Sequence, residues 1–192
     1  MRAIINILLI LLIGLLIYTL YSIIKEPIAF QEAKDERRGI VVDKLKNIRS
    51  SQEMYRDITG EFAPNFDTLV SVLKTDSIRF ERVEGDPDKD DEFIRTVYYK
   101  NALDSIMALG IDLDSLRYVP LASKGTEFSI TADTLTYQKT LVNVVEVGTR
   151  WNTFMGKYGS NKYTKYDNSY VPTAMLKFGD MNTPNITGNW ER

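Results

Sequence analysis

The sequence contains neither cysteine nor histidine. Without thiols there is no disulfide framework, no cysteine nucleophile and no thiolate metal site. Without imidazole, the Ser-His-Asp and Cys-His hydrolases, imidazole-bound metals and a histidine pH switch are excluded as well. An excess of positive charge is also missing. The chain has 24 basic and 26 acidic side chains. Nucleic-acid-binding proteins concentrate basic charge on one surface, so no nucleic-acid partner is expected. No internal repeat is present, and no cofactor is implied.

What the sequence does have is one long run without charge. Residues 3–24 read AIINILLILLIGLLIYTLYSII. As a helix this run spans about 33 Å, enough for a hydrocarbon core of about 30 Å. It exceeds the apolar core of a signal peptide, about 7–15 residues, and no A-x-A site follows it before Lys25. The expected organisation is a transmembrane anchor over 1–24, in contact with membrane lipid through 3–24. A stalk helix over 25–60 and a soluble domain over 61–192 follow. Of the 24 basic side chains 23 lie beyond the anchor, with all 26 acidic ones, a net charge of −3 for that part.

Orientation has two arguments. Lys25, Lys34, Arg37 and Arg38 follow the run and only Arg2 precedes it, so the positive-inside count favours an inward C-terminus. The two-residue amino-terminal tail with the mass outside is the common bacterial plan. The expectation is therefore a single-pass protein of the inner (cytoplasmic) membrane with its domain on the periplasmic side. Within the run, Asn6 is the strongly polar side chain, able to bond a partner helix or to stay wet near the interface. Tyr18 and Tyr21 fit an aromatic belt.

Beyond Pro27, which can start or kink a helix, Phe30, Ala33, Val41, Leu45, Ile48, Tyr55 and Ile58 recur at helical spacing. Arg37 and Gln52 fill the remaining positions of the stripe. The carboxyl half of this stalk is expected to pack on the domain, and its first half to stand in solvent. Gly60 is the expected stop.

Residues 45–73, LKNIRSSQEMYRDITGEFAPNFDTLVSVL, resemble the type IV pilin and type II secretion pseudopilin family. There too an apolar span runs into an amphipathic helix ending in a pattern like Gln52, Tyr55, Gly60 and Phe62, followed by a short helix such as 66–74. The resemblance covers about the first seventy-five residues. It implies a pilin-like, α+β architecture with a spine helix packed on a small antiparallel sheet. The family's basic leader ending in Gly, and the Glu that follows it in the span, have no counterpart before Glu26. Processing and filament packing are therefore not implied. The stretch Ile48-Arg49-x-x-Gln52-x-x-Tyr55…Gly60 is also similar to a group of single-span bacterial envelope proteins, for which no activity is implied.

The remainder alternates short elements. Strands are expected over 77–83 and 93–99 as a hairpin across the turn 85–92. A helix over 101–109 precedes strands over 116–120, 126–131 and 141–147. A short helix over 150–157, an edge strand over 174–178 and a docked end at Asn189-Trp190 complete the α+β domain.

Three clusters carry possible chemistry. Asp86, Asp88, Asp90, Asp91 and Glu92 resemble the start of a Ca²⁺ loop. The required Gly and Glu are replaced by Asp91 and Val97, so a solvated turn is the competing reading. Residues 157–170, KYGSNKYTKYDNSY, interleave Tyr158, Tyr163, Tyr166 and Tyr170 with lysines. Such a loop either contacts a partner, a carbohydrate or a peptide, or packs its rings on the domain. Asp112 and Asp114 with Glu127 or Glu146 are carboxylates whose spacing singles out no catalytic pair. Trp151 and Trp190 read as core anchors, and Asn185-Ile-Thr187 matches a glycosylation sequon. The expected function is that of a non-enzymatic assembly component of a membrane complex, with other envelope proteins or its own copies as partners.

Overall fold

The computed structural model describes residues 2–84 and 94–191. It is α+β: a long apolar amino-terminal helix followed by short helices and two small antiparallel sheets. Asp86, Asp88, Asp90, Asp91 and Glu92 lie outside the described residues.

Helix α1 (Arg2–Thr59) is a single element of 58 residues, about 87 Å long at 1.5 Å per residue. Every large apolar side chain from Ile4 to Ile24 is at least 47% exposed. This part is long and apolar enough to cross a membrane. Pro27 lies inside the helix and does not end it; lacking an N–H, it leaves the Ile23 carbonyl without its usual donor.

From Phe30 onward, one face of α1 goes inside. Phe30, Val41, Leu45, Ile48, Gln52 and Tyr55 are buried, spaced so that they fall on one stripe. The expectation that the first half of the stalk stands in solvent is thereby overturned, because Phe30 is 0% exposed. The reason is tertiary: a loop from the far end of the chain folds back over it. Gly60 closes the helix at φ 86°, its N–H donating to the Arg56 carbonyl at 2.8 Å, a left-handed cap that glycine adopts without steric cost.

Helix α2 (Phe66–Thr75) starts where Asn65 Oδ1 accepts the Thr68 N–H at 2.8 Å, an N-cap that satisfies an otherwise orphaned donor. Its Phe66, Leu69 and Leu73 are buried. Strands β1 (Ser77–Glu84) and β2 (Ile94–Asn101) then pair antiparallel as expected, with Ser77 opposite Asn101. This ribbon stands largely exposed, with Phe80 stacked on Tyr98 at 5.5 Å. Asn101 caps helix α3 (Ala102–Ala108) by accepting the Leu103 N–H.

Residues 116–120 are not a strand. Tyr118 forms only an isolated bridge with Glu127. Pro120 removes a ladder donor, and Leu121 turns the chain at φ 62°. The regular hairpin lies later, β3 (Ser129–Tyr137) against β4 (Thr140–Arg150). Its turn residues Gln138 and Lys139 both have positive φ, 47° and 69°, the type I′ geometry that matches strand twist. Asn-Gly is the usual signature of that turn, which explains why the sequence showed only 126–131 and 141–147.

The expected helix over 150–157 is shorter. Helix α4 (Trp151–Phe154) is one turn, and Gly156 then takes φ 57° beside the Arg37 guanidinium and opens a 3₁₀ turn, Gly156–Tyr158. A second 3₁₀ turn covers Asn161–Lys165. Strand β5 (Met175–Gly179) completes the order β3-β4-β5. At its end a Cβ on Gly179 would lie 1.9 Å from the Val145 carbonyl oxygen, so only glycine fits. Asn189 docks on β5, its N–H donating to the Lys177 carbonyl at 3.0 Å. One core joins the α1 stripe to α2, α3, Val145 and Val147 of β4, and Leu176 and Phe178 of β5.

Candidate functional site

Residues distant in sequence converge around Phe30. Its ring lies parallel to Tyr163 at 5.4 Å between centroids and 9° between planes. Tyr158 and Tyr170 meet it edge-on at 5.8 and 5.1 Å, and Tyr166 is tilted at 6.2 Å. Edge-to-face and offset pairs are the favourable aromatic geometries. Tyr158, Tyr163 and Tyr170 are buried, while Tyr166 is half-buried.

Local structure sets these rings. The two 3₁₀ turns carry Tyr158 and Tyr163. Asp167 then accepts the Ser169 N–H at 2.8 Å and its hydroxyl at 2.6 Å, an Asx turn that reverses the chain and brings Tyr170 back. The Tyr170 hydroxyl donates to the Tyr158 carbonyl at 3.0 Å, closing the loop on itself. Burial pushes the Tyr170 phenol up to about 12. Trp151 packs edge-on against Tyr170 at 5.8 Å.

Charged groups fasten this loop to α1. Lys34 pairs with Asp167, both side chains only 16% and 14% exposed, and the Asp167 carboxyl is held well below its ordinary range by Lys34 first and Ser169 next. Arg37 Nη1 donates to the Phe154 carbonyl at 2.5 Å. Nearest the apolar run, Glu26 accepts the Tyr166 hydroxyl at 2.6 Å and lies 3.0 Å from Lys162 Nζ. The Tyr166 hydroxyl, then Lys162, hold the Glu26 carboxyl below its ordinary value. In return Glu26 raises Lys162. The arrangement is a clamp of aromatic packing and charge-assisted bonds.

No protein-family model, no curated protein and no solved structure matches the chain.

The other sequence candidates are dispersed. Asn6 is exposed within the apolar run of α1. Asp112 Oδ1 accepts the Asp114 N–H at 3.1 Å, Asp114 pairs with Lys74 at 2.7 Å, and Glu146 pairs with Lys177 at 2.5 Å. Arg117 takes both Glu127, at 3.5 Å, and Asp67. These carboxylates are thus engaged separately, and among the described residues no group of three or more His, Cys, Asp or Glu is placed to hold a metal ion. Asn185 Oδ1 accepts the Thr187 N–H at 2.8 Å, forming a turn within the sequon. Trp190 packs against the core and its carbonyl accepts from Arg38 at 3.2 Å.

Glu26, Lys34, Arg37 and Asp167 are the site residues that sequence reasoning did not assign to it. Asp167 carried a local signal, the Asx-turn pattern Asp-Asn-Ser. Glu26 and Lys34 read as ordinary stalk charge, since their partners are more than a hundred residues away in sequence.

Proposed function

We propose that the chain is a membrane-anchored, non-enzymatic component of a bacterial envelope complex. Residues 3–24 lie in the cytoplasmic membrane, and the α+β domain stands on the periplasmic side as a structural or assembly element. The carrying observation is that the apolar run and the domain's central stripe belong to one helix, α1. A flexible tether would let the domain reorient freely. Here the clamp around Phe30 fixes the domain to the helix immediately after the run, so orientation in the bilayer passes directly to the domain.

A spine helix laid on a small antiparallel sheet supports the pilin-like reading. The absence of cysteine and histidine from the sequence supports a non-enzymatic role. Asn6 gives a partner helix, from another envelope protein or a second copy, an amide to bond within lipid.

Photo-crosslinking from position 6 in intact membranes, followed by gentle extraction and mass spectrometry, tests this. A reproducible cross-linked partner is the expected result. A solitary monomer in every preparation would overturn the assembly role. The second reading, a loop 157–170 that takes carbohydrate or peptide, requires rings that are packed on Phe30 to serve a ligand instead. Tyr163→Ala with Tyr166→Ala distinguishes it: lost ligand retention at unchanged melting temperature favours presentation, and lost stability favours the clamp.

A further inference from the structure

We propose that Lys25, Lys162 and Lys165, held at one depth on different faces of α1, contact the phosphates of anionic phospholipid headgroups. The inference rests on the reading that residues 3–24 span a membrane. Its basis is the depth at which α1 holds the loop.

Contacts between α1 and the domain fall in order along the helix. Glu26 meets Tyr166 and Lys162, Phe30 meets the four tyrosines, Lys34 meets Asp167, and Arg37 meets the Phe154 carbonyl. Lys44 reaches Ser115, and Gln52 reaches Ala63 at the far end. The edge of the domain nearest the apolar run is therefore the loop around 162–166. Glu26 is two residues past Ile24, about 3 Å of helix rise. The headgroup layer of each leaflet is about 5–7 Å thick. Tyr166 and Lys162, fixed on Glu26, thus lie at headgroup depth.

The chemistry at that level fits a phosphate. Lys25 Nζ stands over the Tyr21 ring at 5.2 Å, and Lys165 Nζ over the Tyr166 ring at 4.5 Å. Lys25, Lys162 and Lys165 are all exposed. Two ammonium groups of the loop, Lys162 and Lys165, act on one carboxylate, Glu26, which already accepts the Tyr166 hydroxyl, and Lys25 adds a third at the same depth on another face of α1. An open groove lined by Tyr18, Tyr21, Lys25, Glu26 and Ala29 runs along α1 across this level. An acyl chain lying beside Tyr18 places its phosphate at Lys25. That continuity from apolar groove to the Lys25 ammonium selects a lipid over a soluble anion or an acidic protein. Lysines long enough to reach headgroups while their stems stay apolar are the usual means of such contact.

The test reconstitutes the full chain into nanodiscs of mixed phosphatidylcholine and phosphatidylglycerol, releases it, and counts retained lipids by native mass spectrometry. Alkaline extraction and flotation first establish that the chain is integral. The wild type is expected to retain phosphatidylglycerol preferentially, and Lys25→Gln/Lys162→Gln/Lys165→Gln to lower that preference about tenfold. A charge-matched control, Lys46→Gln/Lys74→Gln/Lys139→Gln, removes ammonium groups distant from the run and should leave it unchanged. An integral chain with no lipid preference, or an equal loss in the control, overturns the proposal while the span reading stands. Loss of the preference to competing glycerol phosphate would assign the site to free phosphate and also overturn it. Failure to float or to resist extraction would instead overturn the span reading itself.

Discussion

Phe30 and Tyr163 stack with their planes 9° apart, although one belongs to the long amino-terminal helix and the other to a 3₁₀ turn near the end of the chain. This contact turns α1 from a tether into a part of the core. Truncating Phe30 opens a void under four tyrosine rings. Phe30→Ala should destabilise the domain by about 3–5 kcal/mol, the range for a buried aromatic reduced to alanine, and Phe30→Leu by less. Urea unfolding of the detergent-solubilised full chain, followed by the fluorescence of Trp151 beside Tyr170, measures both.

Asp167 makes the clamp sensitive to acid. Its carboxyl is held below its ordinary 3.8 by Lys34, then by Ser169. A carboxylate depressed in the folded state contributes stability that is present above the unfolded value and lost as pH falls through the folded one. Asp167→Asn should therefore cost about 2 kcal/mol at neutral pH, the order of a hydrogen bond to a charged group. The gap to wild type should close steadily as pH drops below about 4. Denaturation midpoints of the two proteins across that interval check it. A gap independent of pH would mean that the charge of Asp167 contributes nothing.

Much of the backbone plan was legible because it follows from periodicity. The apolar run, the stripe Val41, Leu45, Ile48 and Tyr55, and the alternation in β1 and β2 each declare themselves within a few residues. The clamp was not legible in the same way. Phe30 belonged to the stripe, and the tyrosines of 157–170 stood out by composition, yet nothing local links them. Lys34 and Asp167 are 133 residues apart, and only the folded chain makes them neighbours. The hairpin turn at Gln138-Lys139 was hidden for another reason: its positive φ angles are imposed by strand pairing on residues that do not favour them.

Gln52 is a polar side chain in the apolar stripe, and its two bonds explain its place. Its Nε2 donates to the Ala63 carbonyl at 3.1 Å and its Oε1 accepts the Ala63 N–H at 2.9 Å. Ala63 is 0% exposed and Gln52 1%, so neither backbone group has access to water as a substitute. Gln52→Met keeps the volume but strands both. Each stranded group costs about 1–3 kcal/mol, so a total of about 2–6 kcal/mol is expected. Hydrogen exchange at the Ala63 amide should accelerate with it. A near-neutral change would mean that the chain around Ala63 relaxes to find water.

Tyr170 gives the clamp a limit on the alkaline side. It is 2% exposed, and burial raises its phenol from 10.0 to about 12. The folded state thus favours the neutral phenol. In the unfolded chain it ionises near 10, so between 10 and 12 the unfolded state binds fewer protons and stability falls as pH rises. Below 10 this contribution is fully present. Tyr170→Phe removes the hydroxyl that donates to the Tyr158 carbonyl at 3.0 Å and should cost about 1 kcal/mol at neutral pH. It also removes the group that titrates. Wild type should therefore lose its advantage over Tyr170→Phe as pH rises from 10 to 12, and the two denaturation curves should converge and then cross. Parallel curves across that interval would show that the Tyr170 phenol is free to ionise in the folded state, and hence that the loop opens around it.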